Sequence, residues 1–178
     1  MARIDHIAFR VRDRNKTVQF LCDALGYHVQ QEFPIYFNDE QTDFAMCTAL
    51  EPPEKVANGV PWVQLVPGDP PMEYHVPPEI FVSEGSPGSI VGQWVKQHGP
   101  GIHHIAIQVD SVAETMAEWR SKGWAEFSTD TPLHCEGLTQ VFTKPSELTG
   151  VIFEFIERGT YGFCKENVKA LMESTKGN

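Results

Sequence analysis

The sequence lacks the features of several large classes of protein. Its 14 lysines and arginines stand against 24 aspartates and glutamates, a net charge of −10, so the basic patch that binds nucleic acid or an anionic membrane is missing. No apolar run approaches the ~20 residues that cross a bilayer. A strand-like segment begins almost at the first residue, so no secretory signal is expected. We therefore expect a small-molecule substrate and neither nucleic acid nor membrane as partner, with a homodimer left open.

Cysteine is also scarce, with four in 178 residues and no two in a CxxC motif. A zinc knot is therefore not expected. Four free thiols in a reducing, cytoplasmic compartment are the simplest interpretation. The sequence also lacks a Gly-rich phosphate loop and a recognisable serine or cysteine nucleophile motif.

One short phrase occurs twice in the chain. Residues 4–11 read IDHIAFRV and residues 102–109 read IHHIAIQV, each with a histidine among alternating apolar residues, which is the pattern of a half-buried strand. An amphipathic helix pattern follows each phrase. The repetition predicts a duplicated fold in which His6 and His104 converge on one centre. His103 is expected on the opposite face of the sheet from His104, because side chains alternate along a strand.

The last apolar strand predicted for each copy has one polar residue at its centre. Residues 62–66 read WVQLV and residues 152–156 read IFEFI. A carboxylate buried among large apolar side chains is costly without a partner, and a metal ion supplies one. Two imidazoles, an amide oxygen and a carboxylate form a mixed set that suits a divalent metal. The predicted ligands are His6, Gln64, His104 and Glu154.

Prolines make the segment between the two copies irregular, although residues 80–82 form a short apolar run and Ile90, Trp94 and Val95 could line a short helix. Near the end of the chain, Val168, Leu171 and Met172 give a further helix an apolar stripe. The predicted organisation is one compact unit: a first module at 1–66, a linker with a short helix at 67–99, a second module at 100–158 and a C-terminal helix within 159–178.

These features together resemble the vicinal oxygen chelate superfamily, the glyoxalase/bleomycin-resistance/dioxygenase group. The resemblance implies an α+β fold in which two paired βαβββ modules form a cup-shaped mixed β-sheet with helices outside. It also implies a divalent metal held by the first and last strands of each module, where the four predicted ligands fall.

Two branches of that superfamily compete. The stretch from GSP at 85–87 to GIHHI at 101–105 resembles methylmalonyl-CoA epimerase, for which the resemblance implies the four-ligand set. Other motifs resemble the catalytic half of 4-hydroxyphenylpyruvate dioxygenase: QVFTKP at 140–145, FEFIER at 153–158 and GFCKENVKAL at 162–171. This second resemblance implies iron held by two histidines and one glutamate, and a tail helix across the mouth of the cup, with Phe163 near the pocket.

The four-ligand set favours an enzyme that enolises a metal-chelated 2-oxo or acyl-CoA substrate, that is an epimerase, isomerase or lyase using cobalt, zinc, nickel, manganese or iron. The metal would stabilise the enolate, and a carboxylate would remove the α-proton. The candidate bases are Glu154 and Glu40, the second on a loose alignment with the epimerase. The alternatives are an Fe(II) dioxygenase that acts on a 2-oxo acid and a metal-free protein that sequesters a ligand.

Overall fold

The repeat predicted from the sequence is present in the structure. A computed structural model describes residues 3–53, 77–159 and 162–176. The first module consists of β1 (Arg3–Arg10), α1 (Arg14–Leu25), β2 (His28–Tyr36), β3 (Phe44–Glu51) and β4 (Glu79–Gly85). Helix α2 (Ile90–His98) leads into the second module, which consists of β5 (Gly101–Gln108), α3 (Val112–Ser121), β6 (Leu133–Cys135), β7 (Leu138–Phe142) and β8 (Ile152–Arg158). Helix α4 (Lys165–Ser174) follows.

The eight strands within the described residues form one curved mixed sheet in the order β2-β3-β4-β1-β5-β8-β7-β6. The two repeated phrases, β1 and β5, lie side by side and antiparallel at its centre. Each of them pairs on its other side with the last strand of its own module, β4 or β8, in parallel. This arrangement confirms the predicted α+β fold of two βαβββ modules, and it brings the two halves of the chain together at β1 and β5.

The two faces of the sheet carry different helices. Helices α1 and α3 pack on the outer face, where Leu21 of α1 joins one apolar cluster and Met116 of α3 joins another. Helix α4 lies on the inner face, where Val168 and Met172 pack with Ala8 of β1 and Phe163. The tail helix therefore covers the concave side of the cup, as the resemblance to the dioxygenase implied.

Each of the two outer helices begins at a residue whose side chain caps it. The Asp13 side chain accepts a hydrogen bond from the backbone N–H of Lys16 at the start of α1, and Ser111 accepts one from Glu114 at the start of α3. Such caps satisfy N–H groups that have no partner within the helix. Gly26 ends α1 with a φ of 74°, a conformation that glycine adopts without steric cost.

The boundary predicted between the first module and the linker differs from the structure. Residues 62–66, predicted as the last strand of the first module, lie outside the described residues. Strand β4 lies instead within the predicted linker, and its pairing with β1 corresponds to that of β8 with β5. The short apolar run at residues 80–82 is the centre of this strand, so the first module extends at least to Gly85. The short helix predicted after it is α2.

The prediction of four free thiols is wrong for two of them. Cys135 at the end of β6 and Cys164, the residue before α4, form a disulfide. The two are 29 residues apart, and such a pairing has no signature in the spacing of cysteines along a sequence. Cys22 and Cys47 are free. The cysteine content therefore no longer supports a reducing compartment. Among the described helices, none has the length and apolarity needed to cross a membrane.

Candidate metal centre

Three of the four predicted ligands converge on the inner face of the sheet. The Nε2 atoms of His6 and His104 lie 3.2 Å apart. Both face Oε2 of Glu154, at 3.3 Å from His6 and 3.1 Å from His104. All three residues are buried. The two central strands and β8 thus bring three donor atoms, one from each strand, to a single point.

Two β-bulges set the orientation of the histidines on the central strands. On β1, Asp5 and His6 together occupy the space opposite Ala106 between the pairs Ile4–Ile107 and Ile7–Ile105. On β5, His103 is the extra residue between His104 and Ile102, which pair with adjacent residues of β1. A bulge interrupts the alternation of side chains. His103 is accordingly buried and lines the same cavity as His104, so the prediction that it lies on the opposite face is wrong.

His6 is held in the orientation that a metal ligand needs. Its Nδ1 lies 2.8 Å from Oδ1 of Asp5, which also accepts a hydrogen bond of 2.7 Å from Nη2 of Arg158. An ionised carboxylate only accepts hydrogen bonds, so Nδ1 of His6 carries a proton and donates the hydrogen bond to Asp5. In the neutral imidazole, the lone pair is then on Nε2, the atom that faces His104 and Glu154.

His104 has the corresponding neighbour at the second bulge. Its Nδ1 lies 2.9 Å from Nδ1 of His103. One of these atoms must donate and the other accept. If Nε2 of His104 binds a metal, its Nδ1 carries the proton and donates a hydrogen bond to Nδ1 of His103. The residue that precedes each candidate histidine ligand therefore contacts that ligand's Nδ1 in both repeats.

Glu154 is held by a chain of amide side chains. Nε2 of Gln140 on β7 donates to Oε1 of Glu154 at 2.6 Å. Nδ2 of Asn167 on α4 donates to Oε1 of Gln140 at 3.3 Å. All three side chains are buried. Glu154 therefore has one oxygen fixed by an amide and leaves Oε2 for the two histidines.

The charges of the three converging side chains depend on one another. Burial alone would lower the pKa of His6, but the carboxylates of Glu154 and Asp5 outweigh it and raise the pKa to about 9. Burial alone would raise the pKa of Glu154, but the two histidines hold that pKa well below its ordinary value. Burial lowers the pKa of His104 despite Glu154 nearby. The carboxylate is thus ionised, and a cation between the three side chains would be stabilised.

The donor set fits a divalent metal ion. Atoms bound at about 2.1 Å to one metal, at roughly right angles, lie about 3 Å from each other. The observed separations of 3.1 to 3.3 Å agree with adjacent positions around such an ion. Neutral imidazoles with their Nδ1 atoms protonated would direct two lone pairs and a carboxylate at the same point. A cation removes the repulsion among them.

The fourth predicted ligand, Gln64, lies outside the described residues. The position in the first module that corresponds to Glu154 is occupied by Phe81. Phe81 on β4 pairs with Ala8, two residues after His6, and Glu154 on β8 pairs with Ala106, two residues after His104. A phenyl ring cannot bind a metal as an amide or a carboxylate does. At this position, therefore, β4 supplies no fourth ligand.

The cavity beside the three donors is mostly apolar. Its walls include aromatic and aliphatic side chains from the sheet, from α4 and from the segment before α4: Phe81, Phe142, Phe163, Val168, Leu171 and Met172. The Phe163 ring stands edge-on to His6, with ring centroids 5.0 Å apart. The structure does not bring Glu40 to this cavity. Glu40 is exposed in the turn between β2 and β3, and its role as a base stays a prediction.

Several polar residues of the cavity were not among the predicted site residues. Arg10 lies on β1 on the same face as His6 and Ala8, and all three line the cavity. The sequence could have indicated Arg10, because residues 6, 8 and 10 lie on the same face of a strand whose side chains alternate. Asp5 and His103 reach the site only because of the bulges. Gln140 lies in the QVFTKP motif, but only its pairing across β7 and β8 places it against Glu154.

The fold and the converging donors define a class of protein: a two-module βαβββ cup with a candidate metal centre between its central strands. The family model of the Glyoxalase/Bleomycin resistance protein/Dioxygenase superfamily matches residues 5–142. The chain belongs to that superfamily, as its repeated phrase and motifs predicted.

The individual proteins that this chain resembles have low sequence identity to it. The mitochondrial methylmalonyl-CoA epimerase of Mus musculus is 26% identical over 154 residues, which cover 86% of this chain and 72% of the relative. A variant of 4-hydroxymandelate synthase from Streptomyces coelicolor has a similar structure, with a TM-score of 0.72 and 19% identity over 98% of this chain. The match spans 53% of that synthase, about half of its length. Methylmalonyl-CoA epimerase from Mycobacterium tuberculosis gives a TM-score of 0.58 and 20% identity, with 88% of this chain and 87% of that one covered.

Proposed function

We propose that this protein is an Fe(II)-dependent dioxygenase that acts on a 2-oxo acid. The observation that carries the proposal is the set of three donors, His6, His104 and Glu154, with Phe81 where a fourth donor would stand. Two histidines and one carboxylate with open positions form the ligand set typical of non-haem Fe(II) oxygenases. A fourth protein ligand would suit enolisation instead. The three-donor geometry of the described residues supports the dioxygenase, which the sequence had placed second to an enolising enzyme.

The proposed reaction consumes one 2-oxo acid and one O₂. It releases the substrate carboxylate as CO₂ and leaves a hydroxylated acid one carbon shorter. One oxygen atom enters the new carboxylate and the other enters the hydroxyl group. The substrate supplies all four electrons, so no separate reductant is needed. When bound, Fe(II) would supply the one-electron chemistry that O₂ activation requires.

The residues of this chain would position the ligands and exclude water. Asp5 and His103 would fix the orientation of the two imidazoles, and Gln140 would fix Glu154. The phenyl rings of Phe81, Phe142 and Phe163 would shield the reacting atoms from bulk water.

Oxygen uptake tests this proposal. Purified protein is stripped of metal, loaded with Fe(II) under anaerobic conditions and mixed with air-saturated buffer and a panel of aromatic and aliphatic 2-oxo acids. The proposal requires O₂ consumption with equal release of CO₂ for at least one member of the panel. Protein loaded with Zn²⁺ is the matched control and should consume none. Absence of O₂ uptake across the panel by Fe(II)-loaded protein would refute the proposal.

Metal-dependent enolisation is the second candidate, and the sequence similarity to methylmalonyl-CoA epimerase favours it. In that case Gln64 would be the fourth ligand, with cobalt, zinc, nickel or manganese as the metal, and Glu154 or Glu40 would remove the α-proton. Exchange of a substrate α-proton with deuterated solvent, without O₂ consumption, would support this candidate. Glu40→Gln would abolish the exchange if Glu40 is the base and leave it unchanged if it is not.

A further inference from the structure

Arg10 is a buried cation without a carboxylate partner among the described residues. It is 3% exposed and lines the cavity of the candidate metal centre. Its Nη2 donates to Oγ1 of Thr175 at 3.3 Å, and its guanidinium lies 5.7 Å from the centroid of the Trp94 ring. Its Nη1 is buried and has no hydrogen-bond partner within the described ranges. Arg158, by contrast, is paired with both Asp5 and Glu79.

A second unsatisfied donor lines the same cavity. Nε2 of His103 is buried and has no hydrogen-bond partner in the described part of the chain. If His104 holds a metal through Nε2, then His103 accepts at Nδ1 and carries its own proton on Nε2. Arg10 Nη1 and His103 Nε2 are then two N–H donors for which the described residues supply no acceptor. Both residues line the cavity next to the three converging ligands.

The contacts that Arg10 makes with the described residues do not compensate for its burial. A neutral hydroxyl and an aromatic ring stabilise a guanidinium far less than an ionised partner does. Burial lowers the pKa of Arg10 to about 9, although a guanidinium stays charged in proteins. Buried polar groups are nearly always hydrogen-bonded, and those that are not need an explanation. An anionic ligand that enters the cavity would provide it.

The geometry points to a subsite, formed by Arg10 and His103, that binds a second carboxylate at the far end of the substrate. The inference rests on the proposed function, in which the 2-oxo acid group at the other end of the substrate binds the metal. It narrows the substrate class to 2-oxo diacids. His6 and Arg10 are four residues apart on one strand, about 13 Å along it, so several atoms would separate the two acidic groups. A planar guanidinium matches a carboxylate in shape as well as in charge.

Binding of matched ligand pairs tests the subsite without turnover. Affinities are measured by calorimetry under anaerobic conditions on the full chain loaded with Fe(II). The pairs are 2-oxoadipate against 2-oxohexanoate and 4-carboxyphenylpyruvate against phenylpyruvate, since the members of each pair differ in the distal carboxylate. The variants are Arg10→Met, Arg10→Lys and, as the matched control, Arg12→Met at an exposed position.

We expect the wild-type protein and the Arg12→Met variant to bind the diacid of at least one pair about ten to a hundred times more tightly than the monoacid, the range for charge-assisted hydrogen bonds. Arg10→Met should remove this preference and leave monoacid affinity nearly unchanged. Arg10→Lys should keep part of it. Equal affinity for both members of each pair in the wild type, or an undiminished preference in Arg10→Met, would overturn the inference.

Thermal unfolding without ligand supplies a second test that does not depend on binding. Removal of an uncompensated buried charge should leave the unfolding temperature of Arg10→Met equal to or above that of the wild type. A marked decrease in both Arg10 variants would show that Arg10 has a structural partner, which contradicts the inference.

The two proposals fail separately. If the protein prefers diacids through Arg10 but consumes no O₂ with any 2-oxo acid, the anion subsite is supported and the dioxygenase proposal is refuted. If the protein consumes O₂ with monoacids alone, and Arg10→Met does not change this uptake, the dioxygenase proposal is supported and the subsite is refuted.

Discussion

Phe81 occupies on β4 the position that Glu154 occupies on β8. Each pairs with an alanine two residues beyond a central histidine, Phe81 with Ala8 and Glu154 with Ala106. The two modules therefore share a backbone arrangement but differ in chemistry at this position. One module contributes an imidazole and a carboxylate, and the other contributes an imidazole and an apolar wall. This asymmetry is the basis for the choice of an oxygenase over an enolising enzyme.

Restoring a donor at Phe81 should suppress the oxygenase reaction. Phe81→Gln places an amide oxygen where it can reach the metal and close one of the positions that O₂ and the 2-oxo acid need. We expect O₂ uptake to fall by roughly tenfold or more while the metal stays bound. Phe81→Leu lacks a donor and is the control for lost packing. Equal losses of uptake in both variants would show that the effect comes from packing and not from ligation.

The two central histidines should be essential for metal binding. His6→Ala or His104→Ala leaves two donors, so elemental analysis should find well below one equivalent of metal per chain. The exposed His28 provides a matched control, and His28→Ala should keep the full content. Full metal content in both the His6 and His104 variants would place the metal elsewhere in the protein.

Gln140 should tune metal affinity without touching the metal. Gln140→Leu removes the hydrogen bond to Oε1 of Glu154. It should weaken metal binding by about 10- to 100-fold, as the loss of a hydrogen bond to a metal ligand typically does. Competition with a coloured chelator measures the affinity. The control is Gln97→Leu on the exposed side of α2. If both variants bind metal equally well, the amide chain from Asn167 through Gln140 does not hold Glu154 for ligation.

The disulfide should stabilise the helix that covers the cavity. It connects Cys135 at the edge strand β6 to Cys164 at the start of α4. Loss of a crosslink across 29 residues is expected to lower the free energy of unfolding by roughly 3 kcal/mol. Cys135→Ser should therefore unfold at a lower urea concentration than Cys22→Ser, which removes a free thiol.

The effects of that change on ligands should also differ. The three candidate metal ligands lie on β1, β5 and β8, whereas the disulfide fixes α4. Cys135→Ser should therefore change substrate affinity more than metal content. Unfolding of Cys135→Ser at the same urea concentration as the Cys22 variant would contradict the stabilising role.

The sequence predicted the centre of the site because that centre depends on local patterns. His6 and His104 stand in matching phrases, and each phrase alternates as a strand with one buried face does. Glu154 was found because a carboxylate among large apolar residues needs a partner. The three converge because β1 and β5 are adjacent and β8 pairs with β5, which is what a duplicated βαβββ fold implies.

The parts that the sequence did not predict depend on register and on long-range contacts. Residues 62–66 carry the same pattern as residues 152–156, so periodicity alone did not indicate that β4 lies at Glu79–Gly85. Strict alternation of side chains along a strand does not predict the bulge at His103. The disulfide between Cys135 and Cys164 depends on how α4 packs against β6, and cysteine spacing does not encode it.

The fate of labelled oxygen distinguishes a dioxygenase from an enolising enzyme. Fe(II)-loaded protein is incubated with a 2-oxo acid substrate under ¹⁸O₂ in deuterated water, and the product is analysed by mass spectrometry. We expect a product one carbon shorter that contains two ¹⁸O atoms, one in its carboxylate and one in its hydroxyl group, with release of CO₂. Recovery of an intact carbon chain with deuterium at the α-carbon and no ¹⁸O would contradict it and identify the protein as an enolising enzyme.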